Sequence, residues 1–181
     1  MKKFWLDVSV GDYLESLQKP KISRLQIAHY SVAFNEFSPL QLDDDYAKNA
    51  GFNSVFASNL MSLSVAQEMI NNFAQNITLI SLSSTFQRLL WPGDTILAKG
   101  LIVQHYQKNQ EFRVGLTIWC ENQAGEIIMK GLANLLMFKD ALEQKNSLSG
   151  VPEISLDSRE WLKNKYSMWF KEKNKSDKVL V

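Results

Sequence analysis

The chain has 181 residues, 45% of them hydrophobic and 22% charged, with a net charge of +1. That length suits one well-buried domain rather than two, and the near-zero charge excludes the global basic field of a nucleic-acid binder. The single cysteine, Cys120, excludes an internal disulfide and a cysteine metal cluster, and points to a reduced, cytoplasmic setting.

Met1-Lys2-Lys3 resembles the start of a secretion signal, but Asp7, Gly11, Asp12 and Glu15 interrupt any apolar stretch behind it. No window nears the run of about 20 apolar residues that crosses a bilayer. A turn is expected at Val10-Gly11-Asp12 and an extended piece from Tyr13 to Leu17. Ser23 offers a helix cap, and Leu25, Ile27, Ala28 and Val32 repeat at helical spacing, which predicts a helix over 24–34. Pro39 is expected to end local regularity. Asp43 to Asn49 reads as a short helix with an acidic first turn, and Gly51 suits the position just past its end.

Residues 59–74 carry the most informative helix. Leu60, Leu63, Ala66, Ile70, Phe73 and Ala74 mark one face, and Met61, Val65 and Met69 cover much of the rest, so the helix is expected to be buried. From Ile77 the period changes to two. A turn at Trp91-Pro92-Gly93-Asp94 precedes a long strand over 95–106, and polar residues 107–110 reverse the chain. Val114, Leu116, Ile118 and Cys120 then share one strand face, and Asn122 to Glu126 forms a hairpin around Gly125. The last strand covers 127–138, with Gly131 expected as a bulge or kink. An α+β domain follows from this order of elements. Residues 139–181 read as a linker, Ser147 to Pro152 included, and an amphipathic helix that begins near Asp157 and carries Trp161, Tyr166 and Trp169.

Phe34-Asn35-Glu36-Phe37-Ser38-Pro39-Leu40-Gln41-Leu42-Asp43, then Tyr46-Ala47, Gly51-Phe52 and Val55-Phe56-Ala57-Ser58-Asn59-Leu60-Met61, resembles the front half of the MaoC-like (R)-specific enoyl-thioester hydratases. That family shows Ser-Gly-Asp-x-Asn-Pro-x-His-x-Asp, a Tyr-Ala pair, a Gly-Phe and Ile-Ala-His-Gly-Met. Phe86 to Asp94 is similar to its Phe-x-x-Pro-x-x-x-Gly-Asp region. The resemblance spans about residues 8–138. It implies a hot-dog fold: a long central helix wrapped by an antiparallel sheet, here over 1–138, with the C-terminal helical extension added. It also implies an acyl-CoA or acyl-carrier-protein thioester as ligand, no cofactor or metal, and a homodimer or a heterodimer with a related subunit. No nucleic-acid or membrane partner is expected.

The same correspondence puts Glu36 at the family's catalytic Asp, Gln41 at its catalytic His, and Ser58 and Asn59 at the His-Gly that opens the central helix. Family chemistry adds water across an enoyl thioester, with the acid and the imidazole sharing the proton transfers and amides at the helix start binding the thioester oxygen. Glu36 keeps a carboxylate on a longer arm, whereas Gln41 exchanges no proton near neutral pH. Pro39, Ser58, Asn59 and Leu60 are the expected substrate-contacting positions, with the Asn59 and Leu60 amides as oxyanion donors. Glu36 reads equally as a base or as a solvated loop acid. Gln41 reads as a water-orienting group or as a structural hydrogen-bonder, and Ser58 as a helix cap before a nucleophile. Arg88 and Lys99 read as ordinary surface charges before phosphate ligands, and His29, His105 and Cys120 as framework residues. Three functions compete: a hydratase or dehydratase, a thioesterase, and a non-catalytic acyl-binding or partner subunit.

Overall fold

A computed structural model describes residues 3–74 and 76–148, so the helix expected near 157–170 lies outside the described residues. Residues up to Gln144 form one compact unit, and a second begins at Lys145.

The N-terminal segment makes a single 3-10 turn at Trp5–Asp7, then turns at Gly11, whose φ of 97° favours a residue without Cβ. Strand β1 (Leu17–Lys19) is short. Helix α1 (Arg24–Ala33) opens on a capping box: the Ser23 hydroxyl accepts from the Gln26 amide, and Gln26 Oε1 accepts from the Ser23 amide. Its buried face is Ile27 and Ser31, whereas Leu25 and Val32, expected inward from their spacing, are 64% and 59% exposed. Pro39 does not end regular structure. It supplies the first residue of α2 (Pro39–Leu42), where a missing N–H is free of cost. Asp43 then caps α3 (Asp44–Asn49) through bonds from the Asp45 and Tyr46 amides, and Gly51 follows with φ 92°.

Helix α4 (Asn59–Phe73) lies on one face of a five-stranded antiparallel sheet. The sheet also contains β2 (Ile77–Phe86), β3 (Ile96–Lys108), β4 (Glu111–Glu121) and β5 (Ile127–Met137), in the order β1-β3-β4-β5-β2. Val65, Ala66, Met69, Ile70 and Phe73 of α4 meet Ala98 and Ile102 of β3, Leu116, Ile118 and Cys120 of β4, and Ala133 and Leu135 of β5 in one core. Each large side chain in that set contributes about 1.5–3 kcal/mol by leaving water. The helix is not enclosed all round, because Gln67, Glu68, Asn71 and Asn72 form a polar stripe that stays exposed. Small residues set the spacing: a Cβ on Gly100 would lie 3.0 Å from the Met69 Cε, and Cys120 Sγ reaches the Ser62 carbonyl at 3.4 Å.

The β4 alternation holds as expected, with Val114, Leu116, Ile118 and Cys120 all buried. Gly131 is neither bulge nor kink. It pairs in register with Ile118 and Ser84, and a Cβ there would stand 2.2 Å from the Ser83 carbonyl oxygen. The register shifts fall instead at Leu79/Ser81, Ile102/Gln104 and Cys120/Glu121. Where the sequence suggests only a linker, Ala141–Leu148 forms a further helix, α5, which runs through Ser147, the first linker residue. No helix among the described residues is long and apolar enough to cross a membrane.

Candidate functional site

The site begins with how α1 stops. Phe34 is its C-cap, and Asn35 takes φ 54°, a left-handed conformation that asparagine tolerates. The Asn35 amide bonds to the Val32 carbonyl at 3.1 Å and the Glu36 amide to the Ser31 carbonyl at 2.8 Å. This pair of bonds is a Schellman motif, which closes the helix and fixes where residue 36 leaves it. The short helix α2 then turns Gln41 back toward α1.

The three side chains meet. Ser31 Oγ donates to Gln41 Oε1 at 2.9 Å, and Gln41 Nε2 donates to Glu36 Oε1 at 3.0 Å. Ser31 is fully buried, Gln41 is 6% exposed, and Glu36 is half-buried. The polarity of this chain is fixed at its end: a carboxylate only accepts, so the amide nitrogen faces Glu36 and the amide oxygen faces the serine. Gln41 thus clamps one carboxylate oxygen and leaves Oε2 for another partner. Ser31 carried no functional reading in the sequence. The only available signal was its spacing of four from the buried Ile27, which puts it on the inner face of α1.

Tyr30, next to Ser31, stacks on Phe34 with ring centroids 4.4 Å apart. Its hydroxyl oxygen is buried and meets no hydrogen-bond partner among the described residues. Burial pushes its pKa up; the Ser64 hydroxyl of α4, close by but short of hydrogen-bond geometry, pulls it down, and the Glu36 charge adds to the rise.

At the start of α4, Ser58 takes the N-cap position, but its hydroxyl makes no capping bond; only its carbonyl is used, by the Met61 amide at 2.9 Å. The Asn59 and Leu60 amides donate to no acceptor among the described residues, as first-turn amides do without a cap. The chain is anchored just before them, where the Ala57 amide bonds to the Leu90 carbonyl at 2.8 Å and Phe56 packs edge-on against Trp91. No hydrogen bond among the described residues joins Ser58, Asn59 or Leu60 to the Ser31–Gln41–Glu36 group. Pro39, exposed, acts as the first residue of α2.

Asp44 braces the other flank. It takes bonds from the Ser54 hydroxyl at 2.8 Å and the Val55 amide at 3.2 Å, with Lys48 at 2.7 Å and Arg24 at 3.0 Å. The Lys48 ammonium first, then Ser54, hold its carboxyl well below the usual carboxylate range.

The remaining candidates fall elsewhere. Lys99 pairs with Glu121 at 2.8 Å and Arg88 with Glu126 at 3.2 Å. His29 is exposed, and His105 stacks on Trp5 at 3.8 Å while its Nε2 meets the Trp5 carbonyl. Burial pushes the Cys120 thiol up to about 12, which makes it a core residue and not a nucleophile. Among the described residues, cavities at Phe112 and Met137, at Ser84 and Lys130, and at Arg88 and Asn122 do not include Glu36 in their lining.

No protein-family model and no curated protein sequence matches the chain. Solved structures do match. The (R)-hydratase PhaJ1 of Pseudomonas aeruginosa aligns with a TM-score of 0.68 at 19% identity, over 76% of this chain and 86% of its own. A MaoC-like dehydratase of Rhodospirillum rubrum gives 0.68 at 19%, over 76% and 98%. The ChsH1-ChsH2 complex of Mycobacterium tuberculosis gives 0.64 at 17%, over 71% and 98%. With its five-stranded antiparallel sheet carrying one long helix, and by this likeness, the chain has the hot-dog fold of the MaoC-like hydratases and dehydratases.

Proposed function

We propose that the protein binds acyl thioesters, of coenzyme A or of an acyl carrier protein, as a hydratase- or dehydratase-type domain with Glu36 as its acid–base group. The observation that carries this reading is the clamp on Glu36: a buried serine and a buried glutamine spend their hydrogen bonds on holding one carboxylate oxygen still. A solvated loop acid needs no such support.

The chemistry then runs on one carboxylate. Glu36 Oε2 takes a proton from water as its oxygen bonds to the β-carbon of an enoyl thioester. The π electrons shift to the α-carbon and the thioester oxygen, where the free Asn59 and Leu60 amides offer donors to the developing charge. The carboxyl returns the same proton to the α-carbon, and dehydration reverses these steps. Gln41 orients and does not relay, so the rate is expected to fall about 10²- to 10⁴-fold below that of a site with two proton-transfer groups.

Crotonyl-CoA hydration, followed by loss of enoyl absorbance, tests the reading: turnover should disappear in Glu36→Ala. No hydration by the unaltered protein at any acyl length would refute it, and thiol release without hydration would move the assignment to a thioesterase. A second reading, a non-catalytic subunit, draws support from the ChsH1-ChsH2 complex, in which a chain similar to this one is found in an assembly of two proteins. Strands β1 and β2 end the sheet, and pairing in a homodimer or heterodimer would cover exposed edges. Co-purification with a related subunit that restores turnover would favour that second reading.

A further inference from the structure

Strand β2 is an edge strand without a charged residue or a proline, two devices that ordinarily blunt an exposed edge. Toward its end the outer face shows hydroxyls instead. The register sets Ser83 beside Leu132 and Leu132 beside Thr117; in the next row Thr85 stands beside Lys130 and Lys130 beside Trp119. Cross-strand partners share a face. It is the face away from α4, because Leu116, Ile118 and Ala133, which alternate with these residues, pack under the helix. Ser83, Ser84, Thr85, Thr117, Lys130 and Leu132 line an open concavity of about 280 Å³ there.

That concavity holds donors with nothing to donate to. The Ser84, Thr85 and Thr117 hydroxyls and the Lys130 ammonium have no partner among the described residues, and Ser83 has only a long bond, 3.4 Å, to the Leu132 carbonyl. No acid lines it. Glu121, on the same face, is taken by Lys99 at 2.8 Å and by the Trp119 indole at 2.7 Å. Lys19, Lys48 and Lys99, by contrast, each hold a carboxylate. An ammonium among free hydroxyls is a donor set for an oxyanion. Hydroxyls approaching from three strands suit tetrahedral oxygens, whereas a planar carboxylate is best matched by the fork of an arginine. The volume falls just short of the about 300–1,000 Å³ of pockets for drug-sized ligands, which fits a phosphoryl group on a small molecule.

We propose that the outer face of β2, β4 and β5 carries a binding site for small phosphate monoesters, with the Lys130 ammonium as counter-charge and the Thr85 and Thr117 hydroxyls as donors. None of Ser31, Glu36, Gln41, Asn59 and Leu60 lines it, so the site stands independently of the thioester reading. Glycerol 3-phosphate titrated into the isotopically labelled full chain, followed by amide NMR, tests it, with glycerol as the uncharged control. Saturable shifts should centre on residues 83–85, Thr117 and residues 130–132, and glycerol should cause none. Lys130→Gln, at an exposed position, should weaken binding about ten- to hundredfold, the range of one hydrogen bond to a charged group. Thr85→Val keeps a β-branched residue in the strand and should weaken it about two- to tenfold. Lys108→Gln removes an equal charge outside the concavity and should leave the affinity in place. The site is overturned by the absence of saturable shifts in the unaltered protein, by shifts as large around Lys21 or Lys108, by unchanged affinity in Lys130→Gln, or by an equal loss in Lys108→Gln.

Discussion

The Ser31–Gln41–Glu36 chain can be weighed by a double-mutant cycle. Gln41→Ala removes two bonds, of 2.9 and 3.0 Å, and leaves the fully buried Ser31 hydroxyl without its acceptor. An orphaned buried hydroxyl costs about 1–3 kcal/mol, and the bond to the half-exposed Glu36 adds about 1 kcal/mol, for a loss of about 2–4 kcal/mol. Ser31→Ala alone strands the Gln41 oxygen and costs about 1–2 kcal/mol, at the lower end if the amide relaxes toward solvent. In the double variant the shared bond is lost only once, so the combined cost falls short of the sum by about 1 kcal/mol. Urea denaturation of the four proteins, with unchanged m-values, reads this term directly. Additivity within about 0.3 kcal/mol would mean that the serine and glutamine do not act together. The clamp on Glu36, and the function built on it, would then lose their support.

Three other outcomes follow from single contacts. Gly131→Ala places a methyl 2.2 Å from the Ser83 carbonyl oxygen, which is backbone and cannot swing away, so β2 must separate from β5. A loss at or above the top of the about 1–3 kcal/mol range for overpacking is expected in thermal or urea melts, and a silent variant would mean that β2 is not held at this register. Asn35→Ala forces alanine into φ 54° and should cost about 1–2 kcal/mol, whereas Asn35→Gly should hold or gain stability by the same assay. Asp44 has a folded pKa below the ordinary 3.8, so the unfolded chain binds its proton first. Its stabilisation is complete above the unfolded value and is lost as pH falls through 3.8 toward the lower folded one. Asp44→Asn should therefore flatten the acid limb of a stability–pH curve, and an unchanged limb would remove Asp44 as its source.

Much of the frame was readable because local chemistry and fold agree. Ser23 before α1 and Gly51 behind α3 take the positions that local chemistry gives them, while Asp43, expected inside the short helix, caps it instead. The β4 alternation survives because one of its faces is wholly buried. The errors arise where tertiary contact overrides local preference. α1 turns Ser31 inward in place of Leu25 and Val32, since Gln41 satisfies the serine and apolar spacing cannot reveal a polar partner ten residues away. The β3–β4 turn is shorter than its polar residues suggest, because Asn109 and Gln110 both accept positive φ, 51° and 65°, without a glycine to signal it. Gly131 looks like a bulge from sequence, yet it serves the close approach of another strand's carbonyl. Glu36 and Gln41 were singled out only through the family motif, and Ser31, which hydrogen-bonds to Gln41, escaped it.

A site abandoned by function has a cheaper way to be filled. At position 41, 6% exposed, an apolar residue of similar volume facing an alanine at 31 would keep the packing with no amide to desolvate. The chain instead buries an amide and a hydroxyl and spends both on one carboxylate oxygen. The Gln41 amide presents one donor and one acceptor on a planar group, so it holds the neighbouring acid without a proton to exchange. On the proposed function, orientation and proton transfer are separated: Gln41 would supply the first and only Glu36 the second. That division is why the altered pair argues for a slow, single-carboxylate site before an empty one. It also makes Glu36→Gln more informative than removal of the side chain, because it keeps a carbonyl acceptor for the clamp and deletes only the titrating group.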